Sequence, residues 1–265
     1  MLTAVLSVSA IGLICGVILV IAAKVMAVPV DETAQKIREC LPGANCGACG
    51  FAGCDDYAQQ LATGDGVKTN LCTPGGDSVA RKISEIKGVA FEDVVELKAY
   101  MRCNGDFDSS DYIMDYKGPK TCKACNAFYQ GRRSCTHGCL GYGDCADVCK
   151  FGAITVENGL AVIDREKCTG CGACTKVCPN FIIGLAKDTA LVHVACSSHD
   201  KGAYTRKVCK VGCIGCMKCE KTCEFDAIHV KDNLASIDYD KCTNCGKCVE
   251  VCPMKVIKIC GKAND

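Results

Sequence analysis

Two runs of cysteine carry the most specific chemistry in the chain: Cys168-x2-Cys171-x2-Cys174-x3-Cys178-Pro179 and Cys242-x2-Cys245-x2-Cys248-x3-Cys252-Pro253. Bacterial ferredoxins bind four-iron cubanes with this spacing, three close thiolates holding one cluster while the fourth reaches across to a second. Each run therefore requires a sister motif upstream. Cys149 precedes Cys168 by 19 residues and Cys223 precedes Cys242 by 19, so each run has a partner with which to exchange its fourth ligand. A lone Cys-x2-Cys pair would favour zinc, which takes four ligands in local sets. Eight ordered cysteines per module, interleaved three and one and followed by Pro, point to cubanes instead.

The upstream motifs are less regular. In the first module, Cys135-x3-Cys139-x5-Cys145-x3-Cys149 assigns Cys135, Cys139 and Cys145 with Cys178 to one [4Fe-4S] cluster, and Cys168, Cys171 and Cys174 with Cys149 to the other. The second module has the regular Cys213-x2-Cys216-x2-Cys219-x3-Cys223, but Cys209 also precedes it and aligns with Cys135. Four cysteines compete for three positions. The regular spacing favours Cys213, Cys216 and Cys219 with Cys252, which leaves Cys242, Cys245 and Cys248 with Cys223.

A fifth set, Cys46-x2-Cys49-x4-Cys54-x17-Cys72, is interleaved with Gly43, Gly47, Gly50 and Gly53, as a backbone wrapped tightly around a cluster requires. Twenty cysteines are thus expected to hold five [4Fe-4S] clusters. Cys15, Cys40, Cys103, Cys122, Cys125, Cys196, Cys209 and Cys260 remain. Free cysteine packs as a small hydrophobe, and Cys122-x2-Cys125 with Cys103 has metal-like spacing without a regular fourth ligand.

The elements that must position these thiols repeat. At an offset of 74, 18 of 31 positions between Cys149 and Pro179 are identical to Cys223–Pro253, which marks a duplicated module. Between sister motifs, Ala153–Val156 and Leu160–Ile163 alternate around Asn158-Gly159, a strong hairpin signal, and Ala227–Val230 and Leu234–Ile237 do the same around Asp232-Asn233. With 28 Cys in 265 residues and no Trp, one large apolar core is not expected, and bound metal must organise much of the fold.

At the N-terminus, residues 2–23 carry no charge and at helical rise span about 33 Å, enough for one bilayer crossing. A cleaved signal peptide would need a basic stretch before the apolar run, and only Met1 precedes it. Lys24, Lys36 and Arg38 follow the run, so the positive-inside rule places the cysteine-rich region in the cytoplasm, where thiols stay reduced. The expected organisation is small α+β: a transmembrane anchor (1–28), a membrane-proximal [4Fe-4S] domain (31–90), a connecting segment (91–130), a first 2[4Fe-4S] ferredoxin module (131–185), a linker (186–205) and a second such module (206–262).

The string Leu41-Pro42-Gly43-Ala44-Asn45-Cys46-Gly47-Ala48-Cys49-Gly50-Phe51-Ala52-Gly53-Cys54, with Leu71-Cys72-Thr73-Pro74-Gly75-Gly76 downstream, resembles the membrane-proximal cluster domain of the RnfB family, which belongs to Rnf-type ferredoxin:NAD oxidoreductase complexes. The order of anchor, this domain and ferredoxin modules is similar too, so the resemblance spans nearly the whole chain. It implies a single-pass protein of the cytoplasmic membrane, N-terminus outside. Reduced ferredoxin would feed the cytoplasmic clusters, electrons would pass to membrane and NAD-binding subunits, and sodium or proton export would follow. Two alternatives are a component that keeps an iron-sulfur transcription factor reduced and a membrane-tethered polyferredoxin serving a hydrogenase or dehydrogenase.

The residues show no catalytic constellation: no phosphate loop, no GxGxxG after a strand, and four scattered histidines, His137, His193, His199 and His229. A net charge of +1 argues against a nucleic-acid-binding surface. Basic residues nevertheless gather upstream of each module, as Lys117, Lys120, Lys123, Arg132 and Arg133 and as Lys201, Arg206, Lys207 and Lys210. Either group could steer an acidic ferredoxin, and either could be a solvated loop.

Overall fold

Apolar residues one helical turn apart set the helices ahead of the ferredoxin modules. The computed structural model describes residues 2–25, 31–64 and 66–260, so Met1, 26–28, 65 and 261–262 of the expected segments lie outside it. Helix α1 (Leu2–Val25) comes first. Among its described side chains Leu13, Ile18 and Leu19 are strongly exposed. Among the described residues no helix is both long and apolar enough to cross a membrane; the span expected at 2–23 extends beyond the described side chains.

Helices α2 (Glu32–Cys40), α3 (Cys54–Thr63) and α4 (Gly76–Lys87) form a small bundle. Asp31 opens α2 by accepting from the Thr33 N–H at 2.8 Å, a side-chain cap on an otherwise orphaned donor. Gly88 closes α4 in the left-handed conformation at φ 66°, where a Cβ would be strained. Ile37, Tyr57, Leu61 and Ile83 fill the core with almost no exposure. The Tyr57 hydroxyl donates to the Lys68 carbonyl at 2.8 Å and accepts from the Leu71 N–H at 3.4 Å, fastening the loop that carries Cys72.

The first module comprises β1 (Leu97–Met101), α5 (Cys122–Asn126), α6 (Asp144–Asp147), β2 (Ile154–Glu157), β3 (Leu160–Ile163), α7 (Ala173–Val177) and β4 (Ile183–Lys187). The second comprises β5 (Val192–Val194), α8 (Gly202–Val208), α9 (Lys218–Thr222), β6 (Ile228–Lys231), β7 (Leu234–Ile237), α10 (Lys247–Glu250) and β8 (Ile257–Ile259). Both expected hairpins form: β2 pairs with β3 across Asn158 and Gly159 (φ 45° and 73°), and β6 with β7 across Asp232 and Asn233 (φ 47° and 64°). Two positive φ values in succession give the turn whose twist matches that of the strands. Helices α6, α7, α9 and α10 have four or five residues, too few to be stable without what they pack against.

Each module also has an outer strand pair that spacing did not reveal. β1 pairs antiparallel with β4, Leu97 opposite Lys187 through Met101 opposite Ile183, and β5 pairs with β8. The stretches expected as a connecting segment (91–130) and a linker (186–205) therefore each supply a strand, and the modules begin earlier than expected. Strands this short, whose partners lie far along the chain, leave no periodic signature. Ile154, Ile182 and Ile183 pack beneath the first module's sheets, and Val192, Ile228, Val256 and Ile257 beneath those of the second.

The modules are bolted together. Tyr100 stacks on His193 with ring centroids 4.1 Å apart, and His193 Nδ1 hydrogen-bonds the Tyr239 hydroxyl at 2.8 Å. Ser197 Oγ donates to the Arg102 carbonyl, Ser110 Oγ to the Val208 carbonyl, and the Lys210 N–H to the Ser109 carbonyl, each at 2.9 Å.

Candidate metal centres

Near the N-terminus, Cys46, Cys49, Cys54 and Cys72 share one space. Gly47 and Gly50 turn the chain between them at φ 70° and 88°, and the Cys54 N–H at the head of α3 donates to Asn45 Oδ1 at 2.8 Å. Burial pushes the Cys72 thiol up to about 11, and the thiols of Cys54, Cys46 and Cys49 raise it further through their charge. A thiol whose anion is disfavoured by burial and by three neighbouring thiols fits a multivalent cationic centre, which reverses that penalty.

The regular half of the first module behaves the same way. Cys174 is pushed up to about 11 by burial and then by Cys168, Cys171 and Cys149. Two of these sulfurs accept backbone hydrogen bonds: Cys168 Sγ from the Ala99 N–H and Cys149 Sγ from the Ala153 N–H, both at 3.3 Å. Donors aimed at sulfur are among the levers by which a protein sets cluster potential.

The irregular half is arranged differently from the spacing. Cys139, Cys145 and Cys178 line an apolar cavity with Leu140, Ile182 and Ile183, and the fourth thiol there is Cys122, not Cys135. Cys145 is pushed up to about 12 by burial and then by Cys139, Cys122 and Cys178. Asp144 clips Cys122 in place, Oδ1 accepting the Cys122 N–H at 2.8 Å and Oδ2 the Lys123 N–H at 3.1 Å. The duplication carried a sign of this. At the offset of 74, Cys216 falls on Tyr142, so the first module lacks one thiol of the regular motif, and α5 brings the Cys122 thiol to that cavity.

In the second module the regular spacing prevails. Cys213, Cys216, Cys219 and Cys252 line one cavity with Val230, Val256 and Ile257, and Cys223, Cys242, Cys245 and Cys248 line another with Val192, Ile228 and Ile237. Burial, then Cys213, Cys216 and Cys252, pushes Cys219 up to about 12; burial, then Cys242, Cys245 and Cys223, pushes Cys248 up to about 11. Cys209 lies outside both cavities. Among the described residues no three Cys, His, Asp or Glu side chains come close enough to hold a single metal ion. Thiolates on four different irons of a cubane stand farther apart than four on one zinc, whose bonds are about 2.3 Å.

The Cys46 and Cys171 sets adjoin. Cys46 and Cys171 are near enough for the Cys46 charge to raise the Cys171 thiol after burial. Lys150 Nζ donates to the Ala44 carbonyl across the same seam.

Within the first basic group Lys117, Lys120 and Lys123 are exposed, but the two arginines are not free. Arg133 is 1% exposed. Arg132 lies over the rings of Tyr142 and Tyr112 at 4.4 and 4.6 Å from their centroids. This corrects the expectation that the pair could steer a partner. Lys201, Arg206, Lys207 and Lys210 of the other group are all exposed.

Three families match parts of the chain: "Putative Fe-S cluster" at residues 41–74, "4Fe-4S binding domain" at 161–183 and "4Fe-4S dicluster domain" at 212–256. The chain is similar to the B component of the ion-translocating oxidoreductase complex of Methanosarcina acetivorans, with 41% identity over 94% of each chain. It is 42% identical to the B component of the Na(+)-translocating ferredoxin:NAD(+) oxidoreductase complex of Acetobacterium woodii, over 93% of this chain and 74% of that one. Against the B component of the proton-translocating ferredoxin:NAD(+) oxidoreductase complex of Clostridium ljungdahlii, identity is 38% over 96% of this chain and 91% of that one.

Proposed function

Because the chain belongs to the RnfB family of Rnf-type ion-translocating ferredoxin:NAD(+) oxidoreductase complexes, we propose that it takes electrons from reduced ferredoxin and relays them through five [4Fe-4S] clusters. They pass toward membrane subunits and ultimately NAD, with sodium or proton export driven by the complex. The observation that carries this reading is the gathering of twenty thiols into five sets of four, three of them lining apolar cavities. The ligand sets are Cys46, Cys49, Cys54 and Cys72; Cys149, Cys168, Cys171 and Cys174; Cys122, Cys139, Cys145 and Cys178; Cys213, Cys216, Cys219 and Cys252; and Cys223, Cys242, Cys245 and Cys248.

When bound, each cubane supplies a one-electron carrier; the chain does the rest. Its thiolates hold the irons, and its N–H groups on Cys149, Cys168 and Cys223 sulfurs favour the electron-rich state. Apolar walls of Ile182, Ile183, Ile228 and Val256 line the inner side of the cavities and lower the polarity around the sulfurs there.

The exposed Leu13, Ile14, Val17, Ile18, Leu19, Val20 and Ile21 on α1 lie on every side of that helix, a distribution suited to lipid rather than water. Residues 2–23 anchor the chain with the N-terminus outside and the cluster domains in the cytoplasm. A membrane-impermeant protease added to intact cells should then spare the cluster domains.

The decisive experiment is anoxic purification of the intact complex, with iron and labile sulfide counted on this chain and ferredoxin-dependent NAD reduction followed in membrane vesicles. Iron and sulfide in equal amount, with clusters reduced by ferredoxin, support the reading. Zinc in the cysteine sets would overturn it.

A further inference from the structure

Four cysteines outside those sets meet between the two modules: Cys103, Cys135, Cys196 and Cys209. A Cβ built on Gly105 would lie 3.5 Å from Cys209 Sγ and 3.8 Å from Cys103 Sγ. One built on Gly138 would lie 3.7 Å from Cys135 Sγ and 3.8 Å from Cys103 Sγ. Glycine at both places leaves the space around three sulfurs clear of side chain. Cys196 and Cys209 are both close enough to raise the Cys135 thiol by their charge, after burial, to about 11. We propose that Cys103, Cys135, Cys196 and Cys209 hold a sixth [4Fe-4S] cluster at the module junction.

The site has a built-in symmetry. Cys103 stands two residues beyond the end of β1, and Cys196 two residues beyond the end of β5. Cys135 and Cys209 are equivalent at the offset of 74. Each module thus gives the same two positions, and the two pairs close on each other. The hydrogen bonds repeat as well. The Cys139 N–H donates to Cys103 Sγ at 3.4 Å and its equivalent, the Cys213 N–H, to Cys196 Sγ at 3.3 Å, joined there by the Ser198 N–H at 3.5 Å.

Charge gives a second, independent reason. Arg133 is 1% exposed, its Nη1 and Nη2 donate to the carbonyls of Gly105 and Gly159 at 2.6 and 3.2 Å, and its Nε is buried with no partner. A buried guanidinium satisfied only by carbonyls is costly unless an anion stands nearby. Its charge acts on the Cys209 thiol. Four thiolates around an oxidised four-iron core carry about −2, the counter-charge this arginine lacks.

Position gives the cluster its use. Cys139 and Cys213, whose N–H groups reach it, belong to the Cys122 and Cys216 sets respectively. The sixth cluster therefore bridges the two modules, accepting one electron from one side and giving it to the other.

The proposal rests on the reading of the five other sets only for the class of centre. Native mass spectrometry of the anoxic wild-type chain, with iron and sulfide analysis, should give about 24 iron atoms by the four-Cys rule. Cys209→Ser and Cys103→Ser should each lose about four, with one component missing from a potentiometric EPR titration; Cys260→Ala should lose none. Arg133→Gln should keep the iron and move one midpoint potential to a more negative value. About 20 irons in wild type, unchanged by Cys209→Ser and lowered by Cys216→Ser, would sink the sixth cluster while leaving five. One zinc per chain lost with Cys209→Ser would overturn it equally. Little or no iron anywhere would overturn the five-cluster reading itself.

Discussion

The backbone N–H of Cys213 donates to Sγ of Cys196 at 3.3 Å, so a residue of one cysteine ring touches a sulfur of the next. Such a contact makes the charge on one centre felt at its neighbour, because a donor that serves one cluster's ligand is carried on the ligand backbone of the other. Cys139 and Cys103 repeat it in the first module.

The proposal that Cys122, not Cys135, completes the first module's irregular set is testable. Cys122→Ala should remove one cluster, seen as the loss of about four irons, whereas Cys125→Ala, three residues on and fully buried in the small cluster beside Leu140, should remove none. Asp144→Ala withdraws the acceptor for two N–H groups at the start of α5 and should cost about 1–2 kcal/mol. Its readout is faster loss of that cluster to an iron chelator, without a change in the starting iron count.

Interleaved ligands make each module fold as a unit. Cys174 sits on α7, which continues directly into Cys178 of the other cavity. Cys174→Ser should therefore abolish its own cluster and loosen its sister, since a five-residue helix does not persist without the metal it frames. Limited proteolysis should cut the first module and spare the second. Equal sensitivity of both modules would contradict independent folding around their own clusters.

Most of the site was legible because cubane ligands come in short local runs, and the hairpins because Asn158-Gly159 and its counterpart need positive φ. Cys196 gave no sign, and Cys103 and Cys122 showed metal-like spacing with Cys125 but not which set each joins, for a common reason. Each is placed by an element whose partner is remote: Cys122 by the Asp144 carboxylate, Cys103 and Cys196 by strands that pair with β4 and β8. Two signs were nonetheless present in the sequence. Tyr142 at the place of Cys216 announced a missing thiol, and Cys135 aligned with Cys209 announced a shared position outside the regular run.

Acid should weaken the module junction through His193. Burial, and then the Arg165 charge, holds its pKa down to about 4 from 6.5, and it is neutral where it stacks on Tyr100 and bonds Tyr239. The unfolded chain takes up this proton below pH 6.5 and the folded chain does not until about 4. Stability from this group is thus complete above 6.5, lost as pH falls, and constant again below about 4. The shift corresponds to about 3 kcal/mol. His193→Gln should flatten the part of the melting-temperature profile between about pH 6.5 and 5 relative to wild type, a comparison that cancels the acid lability of the clusters themselves.

Of the two arginine-bearing stretches proposed to steer ferredoxin, one presents its charges to solvent. Arg133 is enclosed and Arg132 is stacked on aromatic rings, so charge reversal there would test packing rather than steering. Arg206 and Lys207 are exposed on the last turn of α8, which runs directly into Cys209, and Lys201 and Lys210 flank that helix. A cluster-loaded chain is acidic overall, because bound thiolates are deprotonated, and so is a typical bacterial ferredoxin. A local cationic face is then what allows approach, and its effect should fall as salt screens it. Replacing Arg206 and Lys207 with Glu should slow reduction by ferredoxin at low ionic strength by about tenfold or more, converge with wild type at high salt, and leave reduction by dithionite unchanged. Stopped-flow measurement across a salt series reads all three. Identical kinetics at low ionic strength would show that ferredoxin docks elsewhere and that α8 is only a solvated helix.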